Sequence, residues 1–93
     1  MQKEYALRLF IAGASPLSNR ALVNLRRICE KYLKDRYDLE VIDIYQQPKL
    51  AREANILATP TLIRVLPVPV RRIIGDFSNL QRVLAALELQ EEQ

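Results

Sequence analysis

Apolar residues recur along this chain at two spacings, and the changes between them mark out the elements. Tyr5 to Ala12 alternates, with Leu7, Leu9 and Ile11 on one side and Ala6, Arg8 and Phe10 on the other, which predicts a strand with one strongly apolar face. Gly13 to Leu17 breaks the alternation with Gly, Ser and Pro, so the chain turns there. A helix capped by Ser18 or Asn19 is predicted next, running to about Arg36. Its stripe is Leu22, Leu25, Cys29, Tyr32 and Leu33, at steps of three and four. Leu39, Val41, Ile42 and Ile44 predict a second strand. Pro48 suits the first turn of a short helix carrying Leu50, Ala51, Ala54 and Leu57, because its missing N–H has no partner to lose there. The strand TLIRVL, a Pro67-Val68-Pro69 turn and the strand VRRIIG follow, ended by Gly75-Asp76. Ser78 and Gln81 have the spacing of a capping box for a last helix packed through Val83, Leu84 and Leu87.

The order β-α-β-α-β-β-α predicts an α/β fold of the thioredoxin-like kind, a four-stranded mixed sheet with helices on its faces. The first β-α-β is long enough for a right-handed parallel crossover, and the last two strands are close enough for an antiparallel hairpin. Ninety-three residues suit one small domain spanning 1–93, with no repeat or linker. The polar tail Gln90 to Gln93 is expected to fray.

Composition mainly excludes. The 14 basic and 11 acidic residues are interspersed, so the net charge of +3 does not gather into the basic face of a nucleic-acid binder. No apolar run approaches a membrane span, and the first residues lack the apolar core and cleavage site of a signal peptide, so the expected location is the cytoplasm. One cysteine and no histidine exclude an internal disulfide and a Cys/His zinc site. No cofactor is expected.

The candidate chemistry is correspondingly thin. Thioredoxin-like enzymes carry a reactive Cys in the loop after the first strand, where the helix N-terminus lowers the thiol pKa. Here that loop, Gly13 to Asn19, has no cysteine, and Cys29 falls about three helical turns later within the apolar stripe, where it reads as core. A thioredoxin-like redox or transferase enzyme is therefore the weaker alternative. Ser15 and Ser18 have no histidine to act as base and read as caps. Asp38, Glu40 and Asp43 offer too few ligands for a divalent ion and read as a solvated strand edge. Thr59-Pro60 sits where thioredoxin-like folds often place a cis proline, but a trans proline opening a strand fits the sequence equally.

Three segments together resemble one family. RLFIAGASPLSNRAL, LEVIDIYQQPKLA and ILATPTLIRVLPVPVRRIIGDFSN are similar to the KaiB family over roughly Tyr5 to Leu89. The resemblance implies a protein that acts by binding, without catalysis. The implied partner is a KaiC-type ATPase, and a thioredoxin-like histidine kinase domain competes for the same site. It also implies two folds, a resting dimer or tetramer and a thioredoxin-like monomer, whose energies differ by a few kcal/mol. On this resemblance the partner-binding residues are Arg20, Asp38, Glu40, Arg64, Arg71 and Arg72. The implied fold-switch positions are Pro60, Pro67, Pro69, Ala86 and Glu88, with slow steps expected in the proline-dense segment.

The sequence departs from the family pattern at two places. Ala86 stands where Gly is common and Glu88 where Asp is common, which favours a C-terminal helix, since Gly costs a helix roughly 1 kcal/mol relative to Ala. Asp38 and Glu40 stand where a small and a basic residue are common, an edge that could repel a partner built for positive charge. A divergent ATPase partner, or a stress-response role away from the clock, is the corresponding expectation.

Overall fold

The structure is a computed structural model that describes residues 3–90. The seven elements appear in the expected order: β1 (Tyr5–Ile11), α1 (Pro16–Tyr32), β2 (Tyr37–Asp43), α2 (Pro48–Glu53), β3 (Thr61–Leu66), β4 (Arg71–Ile74) and α3 (Leu80–Leu87). They form a mixed sheet of order β2-β1-β3-β4. β1 runs parallel to β2 and antiparallel to β3, and β3 is antiparallel to β4. The expected fraying beyond Gln90 falls outside the described residues.

The alternation of β1 separates two cores. Leu7 and Leu9 point into the larger one, where α1 contributes Leu25, Ile28 and Cys29 and α3 contributes Val83, Leu84 and Leu87. Phe10, fully buried on the opposite face, joins Ile42 and Ile63 under α2. β1 is therefore apolar on both sides near its C-terminal end, as suits a strand in the middle of a sheet. Tyr5 contributes its ring to the larger core and donates its hydroxyl to the Leu87 carbonyl at 3.0 Å, tying the first strand to the end of the last helix.

Helix boundaries differ from the sequence expectation by a few residues, each for a local reason. α1 is capped by Ser15, whose Oγ accepts from the Ser18 N–H at 3.1 Å; Ser18 itself is buried in the first turn. Pro16, one residue after the cap, starts the helix because its fixed φ suits the first helical position. The helix ends at Tyr32 instead of Arg36, and Asp35 takes a left-handed φ of 64° where the chain turns back into β2. For α3 the cap is Asn79, accepting from the Arg82 N–H at 3.2 Å. The Ser78 N–H is already engaged by Asp76 Oδ1 at 3.0 Å, so the Ser78–Gln81 box does not form.

Thr59-Pro60, Leu66-Pro67 and Val68-Pro69 are all cis peptides, which resolves the alternative that the sequence left open at Pro60. Pro60 is buried beside the start of β3 and its carbonyl accepts from the Gly75 N–H at 3.1 Å, closing the far end of the hairpin. Gly75 has a φ of 129°, a conformation that favours glycine.

Candidate partner-binding surface

Each outer strand of the sheet leaves one edge unpaired, and the two edges carry opposite charge. On β2, Asp38 and Glu40 project from the face that also carries Arg8 of β1. Glu40 sits beside Arg8 in the parallel register, and its Oε1 lies 3.1 Å from Arg8 Nε. Both side chains are about half exposed, so the pair orients Glu40 more than it stabilises the fold. Asp38, Glu40, Arg8, Ala6, Leu39 and Val65 line a shallow groove of about 470 Å³ on this face. α2 covers the sheet only at the Phe10 and Ile42 end, which leaves this groove open.

Asp43 belongs to a different task. Its Oδ1 accepts from the Gly13 N–H at 3.2 Å and from the Tyr45 N–H at 2.9 Å, so it joins the loops after β1 and β2 and is not part of a solvated edge.

β4 carries the basic residues. Arg71 and Arg72 point to opposite faces, in register with Arg64 and Ile63 of β3. Arg72 donates to the Asn55 carbonyl at 3.3 Å and to the Ala54 carbonyl, holding the end of α2. Arg71 Nη2 lies 4.0 Å from Glu88 Oε1. Arg20, on α1, lies 3.5 Å from Asp76 Oδ2. Hydrogen bonds from Ser78, with help from Arg20, hold the Asp76 carboxyl below its ordinary pKa. Asn24 donates to the Asp76 carbonyl at 2.9 Å, so α1 is fastened to the turn after β4 at two points.

The reactive-thiol chemistry of this fold has no counterpart in the loop after β1. Cys29 is fully buried, and burial, with the Glu30 carboxylate nearby, pushes its thiol up to about 12. No helix among the described residues is long and apolar enough to cross a membrane, and no cluster of His, Cys, Asp and Glu among them could hold a metal ion.

A model of the KaiB domain matches residues 8–89 of this chain. The chain belongs to the KaiB family. The circadian clock oscillator protein KaiB of Thermostichus vulcanus is 54% identical over 93 residues, covering 100% of this chain and 86% of that protein. The KaiB of Prochlorococcus marinus strain MIT 9312 is 54% identical over 88 residues, 95% of this chain and 84% of that protein. Among solved structures, the N-terminal domain of Synechococcus elongatus SasA superposes with a TM-score of 0.75 at 23% identity, covering 100% of this chain and 91% of that one. Mitochondrial thioredoxin 3 of Saccharomyces cerevisiae also reaches 0.75, at 18% identity, over 95% of this chain and 81% of that one. These two likenesses establish the thioredoxin-like fold of this KaiB-family chain.

Within that fold the six expected binding residues do not form one patch. Asp38 and Glu40 lie on the β2 edge, and Arg71 and Arg72 on the β4 edge three strand spacings away, roughly 14 Å. Arg20 stands on α1 beside the turn after β4. Arg64 requires a correction: only 1% of its side chain is exposed, so it is not a surface residue in this conformation. Its Nη2 donates to the Pro69 carbonyl at 2.7 Å and to Glu88 Oε1 at 3.4 Å, under the end of α3.

Of the positions the resemblance implies for a fold switch, Ala86 is half-buried on α3, and Glu88 terminates that helix with a left-handed φ of 60°. Pro67 and Pro69 bracket the β3–β4 turn. Sequence reasoning missed Arg8, the partner of Glu40. Its position opposite the Leu7–Leu9 face was readable, but the parallel register that sets it beside Glu40 was not.

Proposed function

We propose that this chain is a non-catalytic regulatory protein that binds a KaiC-type ATPase in the cytoplasm, within a clock or a clock-derived stress-response system. The observation that carries the reading is the unpaired outer edge of β2, the strand that carries Asp38 and Glu40, on a chain similar over its whole length to clock oscillator proteins. An exposed edge strand can add a partner's strand through main-chain hydrogen bonds, while side chains set register and choice. Because Arg8 holds Glu40 in place, the edge presents an ordered acidic feature, and the matching partner surface is basic. A histidine kinase domain of the same fold would compete for that ATPase surface.

Binding to the KaiC-like ATPase of the same source, measured with ADP and with ATP, tests this reading. The wild type should bind in a nucleotide-dependent way. Glu40→Lys, which places a second cation beside Arg8, should bind several-fold more weakly, as expected for the loss of a charge contact. Absence of wild-type binding with either nucleotide overturns the proposal. Absence of wild-type binding with rescue by Glu40→Lys assigns the physiological partner elsewhere.

A further inference from the structure

Arg64 is a buried cation with few acceptors. Among the described residues one carbonyl, that of Pro69, lies at good hydrogen-bonding distance, while Nε and Nη1 are buried with no acceptor. Among the described residues its nearest counter-charge is Glu88, at a long 3.4 Å, and the same Oε1 atom also faces Arg71 at 4.0 Å. One carboxylate oxygen thus serves two guanidinium groups, neither closely. A guanidinium matches a carboxylate best through two parallel N–H···O bonds at short distance, and this site falls well short of that.

Glu88 is also easy to move. It lies beyond the last residue of α3, with about half of its side chain in solvent. Its backbone N–H is fixed separately, by the Ala85 and Leu84 carbonyls. A change of side-chain rotamer can therefore lift the carboxylate without undocking the helix.

We infer that Arg64 and Arg71 form a carboxylate-binding site on the β3–β4 hairpin, occupied in the thioredoxin-like fold by Glu88 as an internal competitor and filled in the complex by an acidic side chain of a protein partner. The inference extends the binding reading above, and rests on it only in taking the occupant from a protein. It assigns partner chemistry to the basic edge of the sheet, as the proposed function does to the acidic edge at Asp38 and Glu40. It also gives Arg64 a route from the interior to an interface, because the side chain covering it is the one a competing carboxylate replaces.

The test uses the full chain and a hexapeptide of alternating Glu and Gly, with the Gln-Gly peptide as control. The readouts are affinity and the side-chain Nε–H signals of arginine, assigned through Arg64→Lys and Arg71→Lys. Glu88→Gln should bind the acidic peptide about three- to fivefold more tightly than wild type, the scale of one exposed ion pair. The shifts should concentrate on Arg64 and Arg71. Glu53→Gln, which changes the net charge equally on exposed α2, should leave the affinity at the wild-type value, and adding Arg71→Ala to Glu88→Gln should abolish the gain.

Equal affinity for wild type and Glu88→Gln overturns the inference, as do shifts spread evenly over all arginines or an equal gain in Glu53→Gln. Tighter peptide binding by Glu88→Gln without any binding to the ATPase removes the proposed function and leaves this site standing. ATPase binding with no effect of Glu88→Gln on the peptide does the reverse.

Discussion

The thiol of Cys29 lies in the larger core among Leu25, Ile28 and Leu33, and its pKa rises from the ordinary 9.0 to about 12 because burial disfavours the thiolate. The folded value lies above the unfolded one. Its contribution to stability is therefore full below about pH 9 and is lost as pH rises towards 12. At pH 8 the native thiol is protonated and out of reach of solvent. Iodoacetamide should alkylate it far more slowly in the native protein than in denaturant, and equal rates would contradict the burial. The position of Cys29 in the core was legible from its place in the helical stripe. Arg64 was not, because a basic residue in an apolar strand reads as its solvent-facing member. In β3, Thr61, Leu62, Ile63 and Arg64 are all buried, since both faces and both edges of that end are covered. Alternation distinguishes inside from outside only when one face is wet.

At the scale of elements, the caps carry both the clearest miss and a direct test. Ser15, Ser18 and Asn19 can each cap a helix, as can Ser78 and Asn79, and composition does not choose among them. Pro16 decides the first case by fixing where helical φ begins. In the second, Asp76 draws the Ser78 N–H and Phe77 takes a left-handed φ of 62°, which delivers Asn79 to the cap position. Asn79→Ala should lower the unfolding free energy by about 1 kcal/mol, while Ser78→Ala should stay within about 0.5 kcal/mol. Urea denaturation of the two variants measures the difference, and reversed values would return the cap to Ser78. Element order and type were legible because the apolar period changes between strands and helices. Strand partners were legible only in part, since the register that pairs Arg8 with Glu40 depends on the path of α1 between them.

Across the whole molecule, the two faces of the sheet are covered unequally. α1 and α3 pack one face through a large core, whereas the other has Phe10, Ile42 and Ile63 under a six-residue helix with no fully buried residue. Regions with little buried apolar contact open at low free energy, so amides of α2 should show about one-tenth or less of the hydrogen-exchange protection of those in the middle of α1. Comparable protection in the two helices would mean that the smaller core is stronger than its composition indicates. The same imbalance leaves the groove beside Asp38 and Glu40 uncovered, so the surface proposed for binding is where the fold spends least on its own packing. The sheet order has a further consequence for how the protein is made. β1 is synthesised first but lies in the centre, with Leu9 paired to Val41 on one side and Leu62 on the other. A growing chain can complete the β1–α1–β2 unit and still present an open, apolar strand edge until β3 emerges, so during synthesis the exposed edge belongs to the middle of the future sheet.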